Sequence, residues 1–282
     1  PLWFYQGIEK MNYILVINVS VRLITTALVF VIIKDENDFI KLAGLNTSAV
    51  FVIGFVGLLV AFNKFHIKYI LPEKELLKMQ LKNGWNLFLS TVWINLYTTS
   101  NVFILGLFAP ANVVGYFAAA DKIRLAFQGI LSTMSQSVFP YVNKLLSESY
   151  ERFINFNRKL FKVALSAGTI ISITLFLFAE PLVNIVLGKD YEPSVLVLRI
   201  IAWLPLVIFL SNVLGIQTML PMNKHKSFAI ILFFAAMINL ILSFILVPKY
   251  YEIGTAISVL VTEIFVTMAF FVFVKKNKIL IV

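Results

Sequence analysis

The sequence predicts an all-α polytopic membrane protein. Three observations predict it: the apolar content of the chain, the length of its apolar runs, and the alternation of positive charge between them. Of the 282 residues 60% are hydrophobic and 13% charged, with a mean hydropathy of +0.90, whereas a soluble domain is about half apolar and a quarter charged. A soluble core also needs polar residues on the outer side of each element, and here long stretches are apolar all round. Lipid is the solvent that suits them.

A bilayer core about 30 Å thick takes about 20 apolar residues at about 1.5 Å rise each. Eight stretches meet that length: 12–33, 41–62, 84–108, 112–140, 161–187, 194–220, 227–247 and 253–274. The opening residues 1–5 read as the tail of a ninth helix. With no initiator methionine and no recognisable signal peptide, the chain reads as lacking its natural N-terminus. Alternate loops between the stretches hold sixteen Lys and Arg in one set, against four (Lys34, Lys41, Lys189 and Lys249) in the other. Basic residues are retained on the cytoplasmic side, so the pattern predicts a multi-pass protein with a cytoplasmic C-terminus.

The longest polar interruption, 63–83, contains Pro72 and then Lys74, Lys78 and Lys82 at four-residue spacing. It reads as a cytoplasmic linker, either a short helix on anionic lipid or an ordinary solvated segment. The expected organisation is therefore 1–62 as the remainder of a first transmembrane lobe, 63–83 as the linker and 84–282 as a second lobe of six helices. Loops such as FAPANVVG and VPKYYEIG are short, so consecutive helices are expected to be antiparallel neighbours.

Composition also excludes chemistry. The formal net charge of +10 is dispersed through short loops, not clustered on a soluble domain, which argues against nucleic acid. No cysteine is present, so disulfides and thiolate sites are excluded. His66 and His225 are far apart in polar loops, which leaves no histidine metal cluster. No cofactor is expected, and no loop has the length of a catalytic domain.

Ionisable side chains deep in a bilayer are costly and mark functional positions by default. Asp121 is about nine residues into its stretch, hence about 14 Å deep. On a helix it shares an arc of about 80° with Arg124, Gln128, Ser132 and Ser135, with Lys122 to one side. That is a polar stripe along a spanning helix; the bland alternative is local neutralisation of Asp121 by Arg124 at i,i+3. Arg22 and Glu263 are each about 15 Å deep with no compensating charge within a turn. Each must meet a partner on another helix, a cavity water or a ligand. Arg22 is the candidate phosphate ligand of the first lobe, because its guanidinium stays charged and holds phosphate oxygens in bidentate fashion. Glu263 reads either as a coupling site for a proton or sodium ion or as half of an interhelical salt bridge. Arg199, near the outer end, reads as snorkelling to the headgroups.

Thr91, Asn95 and Thr98 form an i, i+4, i+7 row that suits a face toward a cavity or toward other helices. Pro205 and Pro221 are expected to bend or end the helix over 194–220. No binding role is assigned to the four tryptophans.

The segments PLWFYQGIEKMNY, NVVGYFAAADKIRLAFQGILSTMSQSVFPYV and LGKDYEPSVLVLRIIAWLPLVIFLSNVLGIQTMLPMNK resemble the Wzx-type O-antigen and polysaccharide-unit flippases. These belong to the multidrug/oligosaccharidyl-lipid/polysaccharide exporter superfamily. The resemblance covers nearly the whole chain. It implies a MATE-like bundle of twelve helices in two six-helix lobes around a central cavity, of which this chain would hold eight helices and the tail of a ninth. It implies transport, not enzymatic catalysis. The cargo would be an oligosaccharide on undecaprenyl pyrophosphate, moved to the outer leaflet of a bacterial inner (plasma) membrane by alternating access, with a proton or sodium gradient as the driving force.

Partners would be the lipid-linked oligosaccharide, membrane lipids and other polysaccharide assembly proteins. On this template Arg22, Lys122, Arg124, Gln128 and Asn95 would line the pyrophosphate and sugar cavity, with Asp121 and Glu263 in charge pairing or ion coupling. The alternatives are a multidrug or organic-cation antiporter on the same scaffold and, in a different class, a membrane-embedded polysaccharide polymerase or ligase. Buried positive charge suits cationic drugs poorly, and a polymerase would need a substantial outer loop.

Overall fold

A computed structural model of the chain describes residues 2–8, 10–35, 38–65, 67 and 72–279. These are almost entirely helical and include no strand. In order they form α1 (Leu2–Gly7), α2 (Met11–Ile32), α3 (Phe39–Phe65), α4 (Lys74–Phe108), α5 (Ala111–Glu148), α6 (Tyr150–Leu177), α7 (Ala179–Val186), α8 (Ser194–Ile201), α9 (Leu204–Leu214) and α10 (His225–Lys276). The chain divides into two compact units, Pro1–Leu77 and Lys78–Val282. Part of the expected linker, including His66, lies outside the described residues. From Lys74 onward its helix runs without a break into α4.

In the first unit α2 packs along α3, and α1 is anchored to them by Tyr5. This side chain is buried, donates its hydroxyl to the Gly57 carbonyl at 2.6 Å and stacks on Tyr13 with ring centres 5.8 Å apart. Phe65 stands edge-on to both tyrosines. At the turn before α3 the half-buried Asp38 carboxylate pairs with Lys41 at 2.7 Å and accepts from the Lys34 and Asp35 amides, which holds its pKa below the usual carboxylate range.

The second unit buries two large apolar clusters, one at each end of its helices. One gathers Val142, Phe153, Leu214, Phe228 and Phe270. The other gathers Leu105, Phe117, Val183, Leu198, Val247 and Ala256. The surface of each unit stays apolar: Phe30 is 83% exposed and Phe51 exposed on the first, and Ile185 is 82% exposed, with Ile170 and Met268 also exposed, on the second. In water such a surface would drive aggregation; against lipid tails it costs nothing.

Six helical stretches among the described residues are long and apolar enough to cross a membrane, against the eight expected. The difference is one of division and polarity. One of the six is α10, whose 52 residues at about 1.5 Å each exceed twice a bilayer core. It is broken at Tyr251 (φ 45°, ψ −120°), so its arms 225–250 and 252–276 supply two of the expected segments. The other missing segment is α5, which has 38 residues, more than enough length, but is too polar to qualify by hydropathy.

Boundaries differ for physical reasons too. Pro140 lies inside α5, which continues to Glu148; a proline removes one backbone donor, and spanning helices tolerate that. Ser149 then caps α6, its hydroxyl accepting from the Arg152 amide. The segment 161–187 is divided at Phe178, between α6 and α7. The segment 194–220 is divided between α8 and α9, where Pro205 occupies the first turn of α9, and it then passes through a π-helical turn, Gly215–Met219, just before Pro221.

Close backbone approach fixes α6 against α9. A Cβ on Gly168 would lie 2.8 Å from the Cα of Leu206, which is backbone and cannot swing aside. A Cβ on Gly129 of α5 would meet nothing within 4 Å. In thermal unfolding of the full-length protein in detergent, Gly168→Ala is therefore expected to lose about 1–3 kcal/mol through overpacking. Gly129→Ala should be neutral or gain a few tenths from helix propensity. Equal midpoints for the two variants would contradict the packing.

Candidate functional site

The deep charges of the second unit meet where α4, α5 and α10 come together. On α5, Arg124 is 7% exposed; its Nε donates to Asp121 Oδ1 at 2.7 Å and its Nη1 to Gln128 Oε1. These are the i,i+3 and i,i+4 contacts that one helical face allows. They hold the guanidinium in a fixed plane.

From α10, Glu263 is 5% exposed, with the Tyr97 hydroxyl of α4 and the Arg124 guanidinium of α5 as its electrostatic neighbours. The buried carboxylate thus has both a donor and a positive charge on other helices, which is what an ion of that depth requires. The local Asp121–Arg124 pair and the interhelical reach to Glu263 coexist.

Neutral polar groups extend this cluster through the core. Ser243 donates to Asn101 Oδ1 at 3.4 Å, the Asn239 amide donates to Thr262 Oγ1 at 3.2 Å, and Thr262 donates in turn to the Ser258 carbonyl at 2.7 Å. The stripe on α5 divides below Gln128. Ser132 is exposed and bonds within its own helix. Ser135 is buried, donates to Asn212 Oδ1 at 2.6 Å and receives the Gln217 amide, which ties α5 to α9 and the π-helical turn.

The remaining predicted residues lie outside the cluster. Lys122 is exposed on α5, with no hydrogen bond or ion pair among the described residues. Asn95 is exposed and donates to the Thr91 carbonyl at 2.8 Å, and Thr91 and Thr98 likewise bond to their own helix. Arg22 is exposed on α2 of the first unit, also without a partner among the described residues. Arg199 pairs with Glu180 at 3.7 Å.

Sequence reasoning missed Tyr97, Asn101, Asn239 and Gln217. The first two sit at i,i+4 on one face of α4, a signal present in the sequence but no stronger there than the Thr91–Asn95–Thr98 row. Among the described residues no group of three or more His, Cys, Asp and Glu is placed to hold a metal ion.

Apolar-surfaced spanning helices around a buried charged and hydrogen-bonded core define a polytopic helical membrane protein. Residues 1–146 match the family described as polysaccharide biosynthesis protein. The chain is 35% identical over 281 residues to the "Putative O-antigen transporter" of Escherichia coli (strain K12), covering 100% of this chain and 68% of that protein. It is 32% identical over 270 residues to the "Putative O-antigen transporter" of Shigella dysenteriae, covering 94% and 66%. A more distant relative is the "Capsular polysaccharide biosynthesis protein CapF" of Staphylococcus aureus, 23% identical over 167 residues, 58% of this chain and 41% of that one. No solved structure matches the chain. The chain belongs to the polysaccharide biosynthesis protein family, in agreement with its resemblance to the Wzx-type flippases.

If Arg124 supports the buried Glu263, their effects on stability should not add. Arg124→Met is expected to lower the unfolding midpoint by leaving the carboxylate buried beside no cation. Adding Glu263→Gln should restore part of that loss, with a coupling of about 1–3 kcal/mol. Additive losses in thermal unfolding of the four proteins of the cycle would show that the two groups do not interact.

Proposed function

We propose that this chain is the transport body of a flippase, which moves undecaprenyl-pyrophosphate-linked oligosaccharide units to the outer leaflet of a bacterial inner membrane. The observation that carries this reading is the likeness, over essentially the whole chain, to two proteins named as O-antigen transporters. The buried charges support it physically. A pyrophosphate bears at least two negative charges and its sugars are strongly hydrated. The headgroup therefore needs a polar, positive path, while the prenyl tail stays in lipid.

Arg124 is held with its guanidinium already oriented by Asp121 and Gln128, and a planar, permanently charged donor of that kind suits phosphate oxygens. Lys122 adds a second cation on α5, and Gln128 and Asn95 add amide groups for sugar hydroxyls; Arg22 is the candidate phosphate ligand of the first unit, taken by itself. Cargo is carried by rocking one lobe against the other, not by covalent catalysis, with no cofactor. Glu263 is the coupling residue: a carboxylate buried against Tyr97 and within reach of Arg124's charge changes the balance of the site when it takes a proton or faces a sodium ion. Membrane lipids and other polysaccharide assembly proteins are the expected partners.

The test is transport by the full-length protein in sealed vesicles carrying undecaprenyl-pyrophosphate oligosaccharide, with and without an imposed proton or sodium gradient. Protein-dependent arrival of sugar in the opposite leaflet, stimulated by one gradient, is the expected result. Arg22→Ala and Arg124→Ala should each abolish it while membrane insertion is unchanged; normal transport by both variants would refute the cationic path. Efflux of cationic dyes without movement of any lipid-linked sugar would favour the antiporter reading, which a buried carboxylate such as Glu263 would serve.

Orientation has its own test, made simple because the chain has no cysteine. A single cysteine at Asn277 should react with a membrane-impermeant thiol reagent only from the cytoplasmic side, and one at Tyr250 only from the outside. The reverse pattern would invert the proposed topology.

A further inference from the structure

The second unit holds a cavity of about 600 Å³ that the buried cluster does not use. It lies at the end of the helices opposite the basic loops and the C-terminus, between the α7–α8 connection and the break in α10. Its polar lining is Glu180, Asn184, Lys189, Glu192, Arg199 and Glu252.

We propose that this cavity is a binding site for the hydroxyl-rich saccharide of the cargo, and that it does not bind the pyrophosphate. Three observations carry the proposal, which rests on the flippase reading for the identity of the cargo. The first is charge. Three carboxylates face two cations, and Arg199 is already committed to Glu180 at 3.7 Å, so Glu192 and Glu252 outnumber the remaining Lys189. Such a lining repels a diphosphate, in contrast to the cations Lys122 and Arg124 on α5. Carboxylates accept from sugar hydroxyls, an amide both donates and accepts, and an ammonium donates, so the lining can satisfy adjacent hydroxyls of either sense.

The second is size. Small-molecule sites occupy about 300–1,000 Å³, and this volume accommodates one or two sugar rings. The third is the backbone at the rim. Tyr251 holds φ 45° and ψ −120°, a conformation that a non-glycine residue adopts only when its surroundings enforce it. That strained residue directly precedes Glu252 and, with exposed Tyr250, places two accessible phenol rings in sequence next to the cavity wall. Exposed rings beside hydrogen-bonding groups suit the apolar C–H faces of sugars as well as their hydroxyls.

On the proposed orientation the cavity opens on the outer side. Cargo whose pyrophosphate is still on the cationic path could then be held there by its sugar. The same hydroxyl chemistry could come from lipid-linked cargo or from saccharide free in the outer compartment, and the experiment separates them.

The test uses full-length protein in lipid vesicles. The probes are oligosaccharide released by mild acid from the host's own surface polysaccharide, inorganic pyrophosphate, and undecaprenyl pyrophosphate bearing either one sugar or the full repeat. The variants are Asn184→Ala and Glu252→Gln. Each is expected to weaken binding of the free oligosaccharide about tenfold, the worth of one hydrogen bond to a charged or amide group, with pyrophosphate binding unchanged. Both should slow the full-repeat lipid more than the one-sugar lipid.

Unchanged oligosaccharide affinity in both variants, or no binding by the parent protein, would overturn the proposal. Weakened affinity with unaltered movement of both lipids would overturn cargo as the ligand and leave free saccharide in its place. If the parent protein moves neither lipid, the flippase reading fails while the binding measurements still decide whether the cavity takes saccharide.

Discussion

In hydrocarbon no water is available to a polar group, so every backbone amide and every buried charge must find its partner inside the protein. The helical architecture follows at once, because only a helix satisfies its own backbone within one segment. Breaks can then occur only where something else takes over. Phe178 divides α6 from α7 with its amide still bonded to the Thr174 carbonyl, and at the π-helical turn Leu220 bonds back to Gly215. Hydroxyl and amide side chains obey the same rule: Thr25, Thr91, Asn95 and Thr98 each return a hydrogen to their own helix. Other polar groups reach across the bundle instead, among them Ser243 to Asn101, Ser135 to Asn212 and, between the two arms of α10, Asn239 to Thr262.

That constraint gives the α4–α5–α10 cluster its character. A buried ion pair gains little net stability, because the desolvation of both charges offsets most of their attraction. Stability alone would be served as well by well-packed apolar side chains. What the arrangement provides is a positive charge at depth whose plane is set in advance by Asp121 and Gln128, with the buried Glu263 side chain near it. Gly168 and the two apolar clusters supply the rigidity against which such a site can be held. The amide carbonyl oxygens Oδ1 of Asn239 and Oε1 of Gln217 are each buried without a hydrogen-bond partner among the described residues.

Much of the architecture was legible before any coordinate. Helical class, the apolar segments and the break between 247 and 253 follow from run length, and the short turns follow from loop composition. Helix faces were harder to read, for a physical reason: a soluble helix shows which side is buried by contrast with its polar side, but a lipid-facing side is as apolar as a core. Nothing in the sequence separated Tyr97, which turns inward, from Asn95, which is exposed two residues away. Depth and charge singled out Asp121, Arg124 and Glu263, which the structure brings together, and by the same criterion Arg22 and Lys122, which it leaves exposed outside the cluster. The divisions at Phe178 and between α8 and α9 depend on packing between helices, and hydropathy carries no trace of it. Over Lys74–Asn83 the four-residue lysine spacing allowed a short interfacial helix or a solvated segment; the chain there is helical and continuous with the spanning part of α4, a continuity that an apolar-run criterion does not register.

The charge distribution gives the second unit a direction. One end carries Lys144, Arg152, Lys224, Lys226, Lys275 and Lys276; the middle carries a single oriented guanidinium facing a carboxylate; the other end carries the acid-rich cavity. An anionic headgroup attached to neutral sugars meets these regions differently. On the proposed function, the basic end and the central cation would attract its phosphates, whereas the far cavity would favour its hydroxyls. Binding both parts of one cargo equally everywhere would trap it. A path along which phosphate affinity falls as saccharide affinity appears lets the same molecule be gripped at one side and released from the other, because a transporter turns over only if each state binds its ligand no more tightly than the next state can relieve.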